Sequence, residues 1–167
     1  ICQFCDTDFV GTDGDGGGKY AAAADLAAAV ESKWPDGSRE RRMVVCTGGE
    51  PLLQLDRDAV DALKSHGFYA AVETNGTIAP PSGIDWLCVS PKVGSPVVAT
   101  SGQELKLVYP QGSSDPAQFL ALDFESFRLQ PMDGPELARN TALAVDYCLA
   151  HPQWGLSLQT HKYLGIR

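Results

Sequence analysis

Six short runs of apolar and β-branched residues recur along this chain, spaced widely enough for helices between them, and polar residues follow one run after another. Met43–Cys46, Tyr69–Val72, Trp86–Val89, Glu104–Tyr109, Phe127–Leu129 and Gly155–Leu158 read as strands, several of them too apolar to face water on either side. Between them, Ala21–Lys33, Asp56–His66, Pro116–Leu122 and Asn140–His151 read as helices. Asp56 suits an N-cap and Gly67 a C-terminal stop. This alternation predicts an α/β fold with a mostly parallel sheet and right-handed crossovers, and it collects the polar groups at the strands' carboxyl ends. It suits an open sheet and a barrel equally well.

The length of 167 residues predicts one domain around a single core, so Gly37-Ser38 and Gly112-Ser113-Ser114 read as loops rather than linkers. The five glycines from Gly11 to Gly18 make that stretch a loop as well. A formal charge of −8 and a pI near 4.7 argue against tracking a nucleic-acid backbone, which needs a basic face. No run approaches membrane-spanning length and no signal peptide is legible. Five cysteines, only Cys2 and Cys5 close together, do not form a disulfide framework. A reduced, cytoplasmic setting follows, with Cys46, Cys88 and Cys148 expected as small buried hydrophobes.

The most informative polar cluster is Thr47-Gly48-Gly49-Glu50-Pro51, directly after the first strand. Paired glycines let main-chain groups approach a ligand without Cβ interference, and the glutamate adds an acceptor suited to an ammonium group. The same residues could form only a tight turn with an acid at a helix start. Asp6-Thr7-Asp8 offers three oxygen-bearing side chains suited to a hard divalent cation, or a solvated acidic turn. Glu73-Thr74-Asn75-Gly76-Thr77, Ser90-Pro91-Lys92 and Gln130-Pro131-Met132-Asp133 are further polar groups at strand ends. Pro91 stiffens the second of these, while Lys92 alone would pass for a surface lysine. His66, at a helix end, suits a surface residue favoured by the helix dipole better than a catalyst.

Cys2-Gln3-Phe4-Cys5, together with the Gly-Gly-Glu segment, resembles the radical S-adenosylmethionine enzymes. There three cysteines hold a [4Fe–4S] cluster and Gly-Gly-Glu binds the amino group of the cofactor's methionine. The wider set resembles more narrowly the 7-carboxy-7-deazaguanine synthase family. It comprises Cys5-Asp-Thr-Asp-Phe-Val-Gly-Thr-Asp-Gly14, Cys46-Thr-Gly-Gly-Glu-Pro51, Glu73-Thr-Asn-Gly-Thr77, Val89-Ser-Pro-Lys92, Gln130-Pro-Met-Asp-Gly-Pro135 and Gln159-Thr-His-Lys-Tyr-Leu164. The resemblance implies a partial, modified (β/α) barrel and conversion of 6-carboxy-5,6,7,8-tetrahydropterin to 7-carboxy-7-deazaguanine with loss of ammonia. A 5′-deoxyadenosyl radical would begin that reaction at C6 of the substrate.

By the same resemblance Cys2 and Cys5 are cluster ligands and Thr7 a Mg²⁺ ligand. Gly49, Ser90, Pro91, Lys92, Gln130, Pro131, Met132 and Asp133 bind S-adenosylmethionine, and Thr47 touches the pterin. An external flavodoxin-like electron donor and a homodimer are implied too. The third cluster cysteine, which lies upstream of the close pair in that family, is not in this sequence, so a chain lacking its first strand and first cluster cysteine is expected. The terminal carboxylate of Arg167, a few residues beyond the last strand, could pair with the donor edge of a pterin, or simply fray in solvent. Two other readings remain. One is a different radical enzyme, such as a glycyl-radical activase; the other is a zinc-binding or redox Cys-x-x-Cys module, for which a second close Cys/His pair is wanting.

Overall fold

The computed structural model describes residues 17–35 and 40–166. Its regular elements are α1 (Ala23–Ser32), β1 (Met43–Cys46), α2 (Arg57–Ser65), β2 (Tyr69–Thr74), β3 (Trp86–Val89), β4 (Ser101–Tyr109), β5 (Asp123–Pro131), α3 (Leu137–Ala150), β6 (Trp154–Leu156) and α4 (Thr160–Leu164), with 3₁₀ turns at Pro51–Leu53 and Pro116–Phe119. The strands follow one another in a single all-parallel, open sheet in the order β1-β2-β3-β4-β5-β6. All six expected strands are present. Several boundaries move: β4 starts at Ser101, β5 at Asp123 and α3 at Leu137, each earlier than expected; Glu73, Thr74, Gln130 and Pro131 lie within strands rather than after them; the last strand starts at Trp154 and ends at Leu156; and Pro116–Leu122 contracts to a 3₁₀ turn. Helix α4 was not anticipated, since five residues are too few for a periodic signal.

The described residues form two compact units. The amino-terminal unit runs to Thr74 and includes Ala79–Leu87; the carboxyl-terminal unit comprises Asn75–Ile78 and the residues from Cys88 onward. In the first, Ala27 of α1, Leu63 of α2 and Phe68 make the core, with Val30, Trp34, Val44, Cys46 and Ala62 packed around them. Helix α2 is well terminated at both ends. The Asp56 carboxylate accepts the Ala59 N–H at 2.9 Å, as its position before the helix predicts. At the other end Gly67 takes φ +81°, its N–H bonding to Lys64 O at 2.9 Å while Phe68 N–H bonds to Leu63 O at 3.2 Å. That is the paired closure which favours glycine after a helix, and it delivers Phe68 into the core.

In the carboxyl-terminal unit the long pair β4–β5 is in register from Ser101↔Asp123 to Tyr109↔Pro131, and β6 adds through Phe127↔Trp154 and Leu129↔Leu156. Leu105, Leu107 and Leu129 are fully buried, as are Ala144 of α3 and Trp154. Phe127 meets Phe124 and Trp154 edge-on, with centroids 6.3 and 5.4 Å apart. Cys88 is buried as expected, but Cys46 and Cys148 are only half-buried. Both lie at the margin of a core rather than inside it.

Candidate active site

The cluster and cation candidates Cys2, Cys5 and Thr7, and the terminal Arg167, lie outside the described residues. Among the described residues no group of three or more His, Cys, Asp or Glu is placed to hold a metal ion. Burial raises the thiol pKa of Cys46 and Cys148 above the usual range, the Arg128 charge opposing this at Cys148. Protonated thiols are poor ligands, so these two cysteines suit packing.

In the amino-terminal unit Thr47, Gly48 and Gly49 follow β1 directly, as the sequence indicates. Gly48 has φ +119°, a conformation that side chains resist, and a Cβ built on Gly48 or Gly49 would meet no described atom within 4 Å. The main chain here is approachable from outside, as a segment that holds a ligand through backbone atoms requires. Glu50 is already engaged. Its Oε1 accepts the Leu52 N–H at 3.1 Å, capping the turn at Pro51–Leu53, and the Thr74 hydroxyl at 2.7 Å. The turn-and-cap reading of this glutamate is therefore realised, and one of its oxygens is fixed in direction by a threonine that is only 3% exposed at the end of β2.

The carboxyl-terminal unit carries the other two segments. After β3, the Lys92 ammonium folds back on Ser90, donating to its carbonyl at 2.5 Å and its hydroxyl at 2.8 Å. Pro91 is buried. Lys92 lines a cavity of about 240 Å³ together with Val93, Ser95, Ser113, Ser114 and Gln118. At the end of β5, Asp133 pairs with Lys162 of α4, and the Met132 carbonyl accepts the side-chain amide of Asn140 at 2.9 Å. Pro131, Asp133, Leu137, Gln159, Lys162 and Tyr163 line a second cavity of about 230 Å³. The closing Gln159–Leu164 motif is thus helix α4 with its leading residue, and it bears on the Asp133 segment.

Two residues of this region carry no sequence signal. Gln111, in the loop after β4, is 3% exposed and bonds to the backbone on either side of Lys92; Asn140, on α3, is 7% exposed. Gly76 is a backbone lock in the same unit. It sits at φ +80° in a turn where Asn75 Oδ1 accepts the Thr77 N–H at 2.8 Å, and its carbonyl accepts the N–H groups of Val98 and Ala99 at 2.7 and 3.0 Å. Asn75-Gly76 is a turn, as its composition indicates.

Each unit by itself therefore presents polar groups at its strand ends: accessible glycine backbone in the amino-terminal one, and in the carboxyl-terminal one a serine–lysine pair and a segment ending in an aspartate. No family model matches the chain. Over 166 residues it is 67% identical to the 7-carboxy-7-deazaguanine synthase of Caulobacter vibrioides and 63% identical to that of Bradyrhizobium diazoefficiens, each alignment covering 99% of this chain and 79% of the relative. The crystal structure of QueE from Escherichia coli superposes with a TM-score of 0.61 at 26% identity, covering 83% of this chain and 64% of that one. The activase and zinc-module readings are thereby set aside. On identities of this size across nearly its whole length, the chain belongs to the 7-carboxy-7-deazaguanine synthase family of radical S-adenosylmethionine enzymes.

Proposed function

We propose that this chain converts 6-carboxy-5,6,7,8-tetrahydropterin to 7-carboxy-7-deazaguanine with loss of ammonia, a ring contraction on the route to queuosine. The observation that carries this reading is the accessible Gly48-Gly49 backbone at the end of β1, in a chain of this family. Cys2 and Cys5 are its thiolate ligands for the [4Fe–4S] cluster. When bound, the cluster and S-adenosylmethionine supply the one-electron chemistry that starts the rearrangement at C6 of the substrate.

The work left to the protein is placement and charge control. The main chain around Gly49 receives the methionine ammonium, with Glu50 held in direction by Thr74. Ser90, Pro91 and Lys92, and Gln130, Pro131, Met132 and Asp133, bind the rest of the cofactor. Thr47 and Arg167 contact the pterin. Thr7 would hold Mg²⁺, which would supply positive charge toward the substrate oxygens. A flavodoxin-like protein supplies the electron, the assembly is a homodimer, and the setting is the cytoplasm. Among the described residues no helix is long and apolar enough to cross a membrane.

The test is anaerobic cluster reconstitution of the intact protein, followed by incubation with reductant, S-adenosylmethionine and the tetrahydropterin. The expected result is 7-carboxy-7-deazaguanine and ammonia in equal amounts. Cofactor cleavage without deazaguanine would assign the chain to another radical reaction. Cys5→Ala should lose iron–sulfur absorption and product together, whereas Thr7→Ala should keep the cluster and need more Mg²⁺ to reach the same rate.

A further inference from the structure

Gln111 is buried in a loop, where a side-chain amide is costly unless its polar atoms are matched. Here they are matched to one short piece of backbone. Oε1 accepts the Val93 N–H at 2.7 Å, while Nε2 donates to the Pro91 carbonyl at 3.2 Å and to the Val108 carbonyl at 3.4 Å. The amide therefore addresses residues 91 and 93 as an adjacent strand would, with one acceptor and one donor, and Lys92 is bracketed between them. From that fixed backbone the Lys92 side chain folds onto Ser90 and borders the cavity described above.

We propose that Gln111 is a positioning residue for S-adenosylmethionine binding: its carboxamide fixes the backbone on both sides of Lys92, and so the direction in which the lysine and Ser90 meet the cofactor. The inference rests on the reading of Ser90–Lys92 as a cofactor segment. Asn140 provides the same service for a second such segment through the Met132 carbonyl, so among the described residues of this unit both buried side-chain amides are spent on strand-end backbone.

A carboxylic acid offers a test that a merely space-filling residue would not pass. In Gln111→Glu the neutral acid carries an O–H donor and a C=O acceptor in nearly the amide's geometry, whereas the carboxylate only accepts and turns an oxygen toward the Pro91 carbonyl. Burial favours the neutral form, so the switch falls above the ordinary glutamate range. Equilibrium binding of S-adenosylmethionine is measured on the intact, cluster-reconstituted protein at several pH values, as the ratio of Kd between variant and unaltered protein. The ratio should be about tenfold at the alkaline end and fall toward one as the acid protonates. Gln111→Met, which has no donor in any state, should be weaker by a similar factor at every pH, with faster hydrogen exchange at the Val93 amide even without cofactor. A Gln111→Glu ratio independent of pH, or Gln111→Met binding as tightly as the unaltered protein, overturns the proposal. Unaltered protein that binds no S-adenosylmethionine while Val93 stays protected overturns the underlying reading of the segment, and the proposal with it.

Discussion

The two units treat their buried polar groups differently. In the amino-terminal unit the described ones are the Thr74 hydroxyl, spent on Glu50, and a charge. Arg42 has a side chain only 3% exposed, donates to the His66 carbonyl at 2.7 Å and to Glu31 at 3.3 Å, and lies over Phe68 with its guanidinium carbon 4.2 Å from the ring centre. Glu31 also meets His66 Nδ1 at 2.6 Å, so one guanidinium and one carboxylate tie α1, the start of β1 and the end of α2. Among the described residues of the carboxyl-terminal unit the buried groups are the neutral amides of Gln111 and Asn140, each holding backbone beside a segment proposed to bind the cofactor. Charged ties between elements make stability depend on pH, whereas neutral amides hold a segment in the same geometry at any pH. Both units carry proposed cofactor segments, so the contrast lies in how the backbone behind those segments is held.

The largest break in that contrast is expected at Arg42. Arg42→Ala removes a buried cation from the Glu31 carboxylate and its packing on Phe68 and Trp34, a loss of about 3 kcal/mol in chemical denaturation. Arg42→Met, which keeps the stem, should recover part of it. Gly76→Ala is the control without charge. The new Cβ would fall 2.6 Å from Val89 Cγ1 at a positive φ, which costs about 2 kcal/mol, equally at pH 5 and pH 8.

The smallest effect is the pH dependence itself. The His66 hydrogen bond, opposed by desolvation and joined by the Arg42 bond and both charges, holds the Glu31 carboxyl below its ordinary 4.5. A carboxyl with a depressed folded-state pKa adds stability that is fully present above its unfolded value and is lost as pH falls through the folded one. Thermal melts should therefore decline below about pH 4.5, and Glu31→Gln should flatten part of the decline. Asp85, lowered mainly by its bond to Lys64 and then by the Ala70 N–H, accounts for a further part and survives that substitution. A full decline in Glu31→Gln would show that the Arg42–Glu31–His66 tie is not the pH-sensitive one.

The strands and the cap and stop of α2 were legible because each is written in a few adjacent residues: a β-branched run, an aspartate before a helix, a glycine after it. The strand-end segments were legible for the same reason. Gln111 was not, because Tyr109-Pro110-Gln111-Gly112 reads as a turn and its partners lie 18 and 20 residues away. Asn140 stood only at the expected start of a helix that in fact begins three residues earlier, at Leu137, which places it a turn inside with its amide aimed at Met132. Arg42 closes the charged run Arg39-Glu40-Arg41-Arg42, and nothing local separates the one that is buried from the neighbours at positions 40 and 41 that face solvent. His66, expected as a surface residue answering the dipole of α2, does stand at that helix end and is half-exposed. Its ring answers Glu31, 35 residues away, which no local rule foresees. Side chains whose partners are distant backbone atoms leave no periodic trace.

Gly49 separates two quantities that usually move together. Its φ lies outside the glycine-only range and a methyl group there would touch no described atom, so alanine is compatible with the fold and, by restricting the unfolded chain, would favour it by about 0.5 kcal/mol. The protein forgoes that gain. What the glycine keeps is unfilled volume beside a main chain, and the same methyl that steadies the folded state would stand where we propose that the cofactor's ammonium group comes. At such a position a screen for thermal hardiness and a screen for occupancy would choose opposite residues, and a more robust variant of this chain could be one that has quietly lost its cofactor.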